Sequence, residues 1–466
     1  MRTRFYSILL LAASLVTLAF VASSILEDSY FREWRRHQRN YAKLTEGKTP
    51  FEPGLKQYYL PHLNRIDRCT TCHTGLLNPE MGSAAQPHTA HPGNYLSFHQ
   101  PQEFGCTVCH AGQGLATNSA EAHATNSGKH VFWDEPVYSK EFTQASCRAC
   151  HSSAWAGEHG APLLGKGAKL FVDLGCNSCH KTGGVGGSRG PALDGQGSQP
   201  RAHFPMAHLD PPHTVERWQV EHLQDPQKIV PGSAMRQYGL SGDDAKALAI
   251  YLFSLRDLPV PEQMTHSRDT LDRDKPDGKH VYQRNCSGCH GEGLKDREDK
   301  IMGWRIPAVR NPEMLAAAGQ DFLRKSIEQG REGTPMESWS SESSGLSKAE
   351  IQALVAYLYS NAAKEKPKPW TFSGTTDPEE GKALFEDSCK QCHGAEGRGG
   401  PKGPSLLVRT LAEMPDSFLA ITVRDGRPGT SMNSFKEEAE FTDQEIADVV
   451  AFVRELQEKV LSVRGN

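Results

Sequence analysis

Six copies of Cys-x-x-Cys-His punctuate this chain, at Cys69–His73, Cys106–His110, Cys147–His151, Cys176–His180, Cys286–His290 and Cys389–His393, and they use all twelve of its cysteines. Two thiols can add to the two vinyl groups of one haem while the adjoining His takes the iron, so each pentapeptide specifies covalent haem c. Zinc ribbons and redox thiols also use Cys-x-x-Cys, but neither requires a His after every pair. The expected cofactors are six haem c. They are bound through Cys69, Cys72, Cys106, Cys109, Cys147, Cys150, Cys176, Cys179, Cys286, Cys289, Cys389 and Cys392, with His73, His110, His151, His180, His290 and His393 on the irons.

The composition bears on what else the chain can be. Lys plus Arg is 52 against Asp plus Glu 56, a net charge of -4, so no basic field exists to draw in nucleic acid. Only 37% of residues are hydrophobic, with 43 Gly and 29 Pro, which is poor material for one large core. Several small domains fit better, each wrapped around a porphyrin that supplies apolar interior.

One long apolar run stands out, Phe5 to Leu26, with Arg2 and Arg4 ahead of it and no charge inside. It reaches the roughly 20 residues that cross a bilayer and exceeds the usual signal-peptide core of about 7 to 15. An uncleaved transmembrane signal anchor over 1–27 is the expectation. The rival is a cleaved signal peptide, with Ala22 and Ser24 as small residues before the cut. Residues 28–50 read as a juxtamembrane stalk whose Arg32, Arg35, Arg36 and Arg39 lie near lipid phosphates or a partner subunit, or simply form a solvated charged face.

The last three motifs repeat their surroundings. A Gly and, four residues on, an aromatic precede the first Cys each time: Gly167 and Phe171, Gly278 and Tyr282, Gly381 and Phe385. That spacing places both on one helix face, where the small residue admits a second helix. Each unit closes on a capping box, Ser241 with Asp244, Ser347 with Glu350, and Thr442 with Glu445. Ten residues past each cap stands an aromatic, Tyr251, Tyr357 or Phe452, placed to meet the opening helix. Each unit resembles a class I cytochrome c domain, and the resemblance implies helical domains over 161–258, 275–362 and 376–460, with Pro259–Pro276 and 365–377 as linkers.

The same resemblance implies a methionine sixth ligand before each closing helix. Met235, Met336 and Met432 stand there, in Gly/Pro/Ser-rich loops that suit buried filler poorly. In the first unit the segment Arg201 to His222 competes, since it carries Met206, His203, His208, His213 and His222. Pro191, Pro307 and Pro404 resemble the family's proline whose carbonyl holds the proximal His.

The first three motifs are too close together for such domains. The segment 51–160 is dense in histidine instead, and reads as a loop-rich trihaem module whose irons take second histidines. His91, His99 and His123 are the expected distal ligands, with His88, His62 and His130 in reserve.

The expected fold is therefore mainly α: an N-terminal transmembrane helix, the trihaem module, and three class I cytochrome c-like helical domains. Haem c attachment, as the c-type family implies, places all of this in the periplasm of a bacterial inner membrane. Met/His sites have higher potentials than bis-His sites, so the chain reads as an electron-transfer subunit and not an enzyme by itself. Its expected partners are the subunits of a membrane quinol-oxidising complex and a periplasmic acceptor. The N-terminal third is loosely similar to multihaem subunits of such complexes. Two other readings remain: a multihaem reductase or peroxidase with one open haem, or the cytochrome subunit of a membrane-bound dehydrogenase passing electrons to quinone.

Overall fold

The computed structural model describes residues 2–124, 136–256, 258–266, 275–299, 303–331, 334–364, 367–427 and 430–464. It is mainly helical, with two short antiparallel strand pairs. Helix α1 runs Arg2–Leu26, and from residue 4 onward every one of its side chains is exposed. An apolar helix with no protein packed on it offers its whole circumference to lipid.

A π-helical turn, Glu27–Phe31, and an extended Arg32 (ψ 135°) separate α1 from α2, Glu33–Leu44. Trp34, Gln38 and Tyr41, spaced along one face of α2, are buried. The stalk therefore does not stand free. The Gln38 amide donates to the carbonyls of Gly54 (2.7 Å) and Thr71 (3.0 Å), and Thr71 lies inside the first haem motif. Ser119 donates through its hydroxyl and backbone N–H to the Glu33 carboxylate, at 2.7 and 3.0 Å. Arg36 and Arg39 remain exposed on the other side.

The segment that follows is a hairpin, β1 Tyr58–Leu60 paired antiparallel with β2 Arg65–Asp67, and then a series of short helices, none longer than eight of the described residues. Its own apolar core is small: Leu60, Leu63 and Val108. Val260, from the segment expected to be a linker, completes that cluster with Leu258 and Met264 against it. Three apolar side chains in nine residues outweigh the prolines around them. The second linker also lies down, with Trp370 against the core of the last unit and the Lys368 carbonyl accepting from Arg424 at 2.9 Å.

Each C-terminal unit is a set of three longer helices. They are α3 Pro162–Asp173, α4 Val215–Gln224 and α5 Gly242–Ser254; then α6 Gly278–Asn285, α7 Pro312–Gln329 and α8 Lys348–Tyr359; then α9 Pro378–Ser388, α10 Asp416–Asp425 and α11 Asp443–Arg464. Opening and closing helices cross at the glycines. A Cβ on Gly167, Gly278 or Gly381 would stand 2.0 Å from the carbonyl oxygen of Ala247, Ala353 or Asp448 respectively, so no other residue permits these crossings. Beside each crossing the paired aromatics touch: Phe171–Tyr251 at 5.0 Å, Tyr282–Tyr357 at 5.7 Å and Phe385–Phe452 at 5.4 Å between ring centres. The caps form as well, with Ser347 and Glu350 in a reciprocal box and Thr442 and Glu445 bonded in the same way. The core of the first unit runs on across residue 160, taking in Tyr138, Phe142 and Ala145 beside the third haem motif.

Candidate haem sites

All six pentapeptides adopt one local structure. In each, the His N–H bonds the carbonyl of the first Cys four residues back, at 2.9 to 3.1 Å. This single helical turn puts residues i, i+3 and i+4 on one face, so both thiols and the imidazole point the same way. No two of the twelve cysteines are joined in a disulfide.

The trihaem module brings each motif His opposite one of the three expected partners. Ring centres are 6.1 Å apart for His73 and His123, 6.1 Å for His110 and His91, and 6.0 Å for His151 and His99. An iron held between two imidazoles needs about 2 Å to each nitrogen and roughly another 1 Å to each ring centre, which is this spacing. Nδ1 of His91 faces the Pro92 carbonyl (2.9 Å) and Nδ1 of His99 the Tyr95 carbonyl (3.2 Å), leaving both Nε2 atoms for a metal. Burial, and then the neighbouring His123, hold His73 down to about 4, so the ring is neutral and able to ligate. Burial likewise lowers His110 and His151, followed by the proximity of His91 and His99 respectively.

None of the described reserve histidines faces a motif histidine within the spacing seen for the other three. His62 Nε2 lies 2.8 Å from the Glu103 carbonyl. His88 is buried with Nδ1 3.0 Å from the Thr74 hydroxyl and its ring 6.0 Å from His37 of α2. His130 lies outside the described residues.

In the C-terminal units the three prolines stand where expected. Nδ1 of His180, His290 and His393 meets the carbonyls of Pro191 (2.8 Å), Pro307 (3.2 Å) and Pro404 (2.8 Å). Each bond makes Nδ1 the donor and frees Nε2. His290, His393, Met336 and Met432 line one continuous cavity of about 710 Å³, together with the four cysteines of the last two motifs. The methionine loops share one turn: the backbone N–H of Met336 donates to Thr334 Oγ1 (3.1 Å), that of Met432 to Thr430 Oγ1 (3.1 Å), and that of Met235 to Ser233 Oγ (3.2 Å). Met235 is half-buried against the helical core of its unit. His222, on the last turn of α4, is a second candidate beside the same site. It stacks on Trp218 at 4.6 Å, its buried Nδ1 has no hydrogen-bond partner among the described residues, and burial followed by the nearby His180 pushes it down to about 4. The donor sets thus fit haem: paired thiols, a motif imidazole with a free Nε2, and a second imidazole or a thioether at hand.

Asp67 is the residue that sequence reasoning missed. Its carboxylate is fully buried and ties the approach to the first motif to the second, accepting from the backbone N–H groups of Cys106 (2.9 Å) and Thr107 (3.0 Å) and from the Thr107 hydroxyl (2.9 Å), with the Cys69 sulfur 3.0 Å away. Similar links join later neighbours. Ser146 Oγ donates to the Cys109 carbonyl (2.7 Å), and the Gly288 N–H donates to Ser178 Oγ (3.1 Å). The fourth and fifth motifs meet so closely that a Cβ on Gly175 would lie 2.2 Å from the Gly288 nitrogen.

Family models match three stretches of the chain. Residues 273–358 and 376–453 match the family model for cytochrome c oxidase, cbb3-type, subunit III; residues 164–256 match cytochrome c; residues 105–181 match cytochrome c554 and c-prime. Among curated proteins, the cbb3-type cytochrome c oxidase subunit CcoP of Helicobacter pylori is 23% identical over 39% of this chain and 58% of its own length. The cytochrome bc1 complex cytochrome c subunit of Corynebacterium efficiens is 24% identical over 51% of this chain and 79% of its own. The cbb3-type subunit FixP of Bradyrhizobium diazoefficiens is 31% identical over 26% of this chain and 36% of its own. The chain thus spans between about a third and four fifths of the relatives it matches. A solved chain of the Kuenenia stuttgartiensis reducing HAO-like protein complex aligns with 19% identity over 38% of this chain and 94% of that one, at a TM-score of 0.24, too low to bear on the fold. Motifs, helical units and matched families together make this chain a multihaem c-type cytochrome, related to cytochrome subunits of respiratory complexes.

Proposed function

We propose that the chain is a six-haem electron-transfer subunit, anchored by α1 in a bacterial inner membrane with its haem units in the periplasm, that takes electrons from a membrane quinol-oxidising complex and delivers them to a periplasmic acceptor. A haem c in each site supplies a one-electron Fe(III)/Fe(II) couple. The residues of the chain set its tuning: His91, His99 and His123 as second ligands in the trihaem module give low potentials, and Met235, Met336 and Met432 give high ones. The observation that carries the reading is the spacing of 6.0 to 6.1 Å between each motif imidazole and its partner, against thioether loops in the later units.

Support for the direction comes from how the motifs are laid out. The first is fastened to α2 through Gln38 and so lies at the anchored end. Asp67, two residues ahead of the first motif, bonds the second at Cys106 and Thr107; Ser146, beside the third, bonds the second at Cys109; and the fourth and fifth bond each other through Ser178 and Gly288. The fifth and sixth share a cavity. Relatives named as subunits of bc1 and cbb3 complexes support a respiratory assembly as the partner. The test is a spectroelectrochemical titration of the purified chain after haem counting. Two groups of midpoints, three low and three high, are expected, with all irons low-spin; a single unresolved group, or a high-spin iron that binds cyanide, overturns the assignment. A near-infrared thioether charge-transfer signal from three haems assigns Met235 to the fourth site, and a signal from two assigns His222.

A further inference from the structure

The loops that carry Met336 and Met432 repeat one another beyond the methionine. α7 ends at Gln329 and α10 at Asp425; each is followed by a glycine with positive φ, Gly330 (68°) and Gly426 (67°), and then by an arginine. The N–H of Arg331 donates to the Met336 carbonyl (2.7 Å), and that of Arg427 to the Met432 carbonyl (2.8 Å). Each arginine carbonyl accepts from the following threonine, through the N–H of Thr334 (3.1 Å) or Thr430 (3.0 Å) and through its hydroxyl, at 2.7 Å in both copies. One backbone design thus delivers two guanidinium groups to the wall of one cavity.

The other charged groups of that wall are satisfied within the protein or reach solvent. Arg305 pairs with Asp296 (2.9 Å), Glu337 accepts from the Ser188 hydroxyl (2.6 Å), Glu438 accepts from Asn433 (2.6 Å), Arg189 is exposed and donates to the Pro335 carbonyl (3.3 Å), and Lys402 is exposed. Among the described residues, the guanidinium groups of Arg331 and Arg427 have neither a hydrogen bond nor a carboxylate partner. Arg331 only overlies the Phe322 ring at 5.4 Å. Burial, and then the charge of Arg331, push Arg427 down to about 10. Two cations facing one largely apolar space are costly unless anions enter with them. A haem brings two carboxylates, and guanidinium binds carboxylate as a planar fork.

We propose that Arg331 and Arg427 form a paired cationic seat for the propionate groups of the haems bound at the fifth and sixth motifs. This rests on the haem reading above. The first unit lacks the device. Its Val230 holds the equivalent position, with its carbonyl accepting from the Ser233 N–H at 3.0 Å, and Ser233 Oγ in turn accepting from Met235. A fixed positive charge favours the reduced, more negative haem, so the seat raises the last two midpoints and leaves the fourth without this contribution.

The experiment uses the full chain in detergent, with haem per polypeptide counted first. Arg427→Leu is expected to shift the midpoint of the sixth haem downward and that of the fifth by less; Arg331→Leu does the converse. The propionate-bending bands in resonance Raman change with each. Arg427→Lys keeps the charge and restores most of the midpoint. Six haems with unmoved midpoints and bands in both leucine variants overturn the seat. If a leucine variant loses a haem, a lysine variant that keeps six haems and near-native midpoints supports it, and one that also loses the haem overturns it. A wild-type chain with fewer than six haems would instead refute the reading on which the seat depends.

Discussion

The two halves of the molecule solve one problem, holding a porphyrin, with opposite resources. In the C-terminal units each motif owns a pair of crossing helices, an apolar cluster of a dozen or more residues and a loop that presents Met. In the trihaem module the described residues between motifs form helices of at most eight residues, and three of its buried apolar side chains, with Val260 from beyond it, make up its cluster. Polar links take over the work of that missing core: Asp67 ties the first motif to the second, Ser146 the second to the third, and Gln38 ties the first to the stalk. Apolar burial tolerates small shifts because it has no direction, whereas a hydrogen-bonded carboxylate fixes geometry and fails sharply when removed.

That contrast can be broken experimentally, most forcefully at Asp67. Asp67→Ala leaves the backbone N–H groups of Cys106 and Thr107 unpaired, and with bonds to a charged acceptor at about 1.5 to 3 kcal/mol each, a cost on the order of 4 kcal/mol is expected. Haem counting and limited proteolysis should show the trihaem module lost and the three later units intact; six retained haems would refute the role given to Asp67. Next in size are ligand exchanges. Met432→His should lower one high midpoint by on the order of 0.1 V or more, within the roughly 0.8 V that axial ligands command, while His99→Ala should create a high-spin signal from the low-potential group alone. Gly381→Val drives a side chain into the Asp448 carbonyl and should cost about 2 to 3 kcal/mol, seen as a lower melting temperature for the last unit only. The smallest effect is Ser347→Ala, about 1 kcal/mol from the loss of one cap, measured by denaturant unfolding of the second unit.

How much of this was legible depended on whether the determinant was local. The Gly-to-aromatic spacing and the capping residues act within a few positions, so the helices around Gly167, Gly278 and Gly381 could be read directly. The placement of His91, His99 and His123 opposite the motif histidines followed from their spacing in a short, His-rich stretch. Asp67 was not, since nothing beside it in sequence announces that its partners lie some forty positions on, at Cys106 and Thr107. The docking of α2 was missed for a related reason: its arginines dominate its composition, yet Trp34, Gln38 and Tyr41 on the opposite face decide where it goes. Arg331 and Arg427 were visible as a repeated Gly-Arg-x-Gly-Thr-x-Met, but only the shared cavity gives the arginines a purpose.

The docked stalk has a mechanical consequence. A soluble domain on a flexible tether searches a volume, and its encounters depend on linker length. Here α2 is held against the first motif by a buried amide, so the module cannot wander from the residues just beyond α1. With α1 in a bilayer, as proposed, that end would work as a fixed terminal with a set height above it, and any diffusive search would fall to whatever docks at the far end.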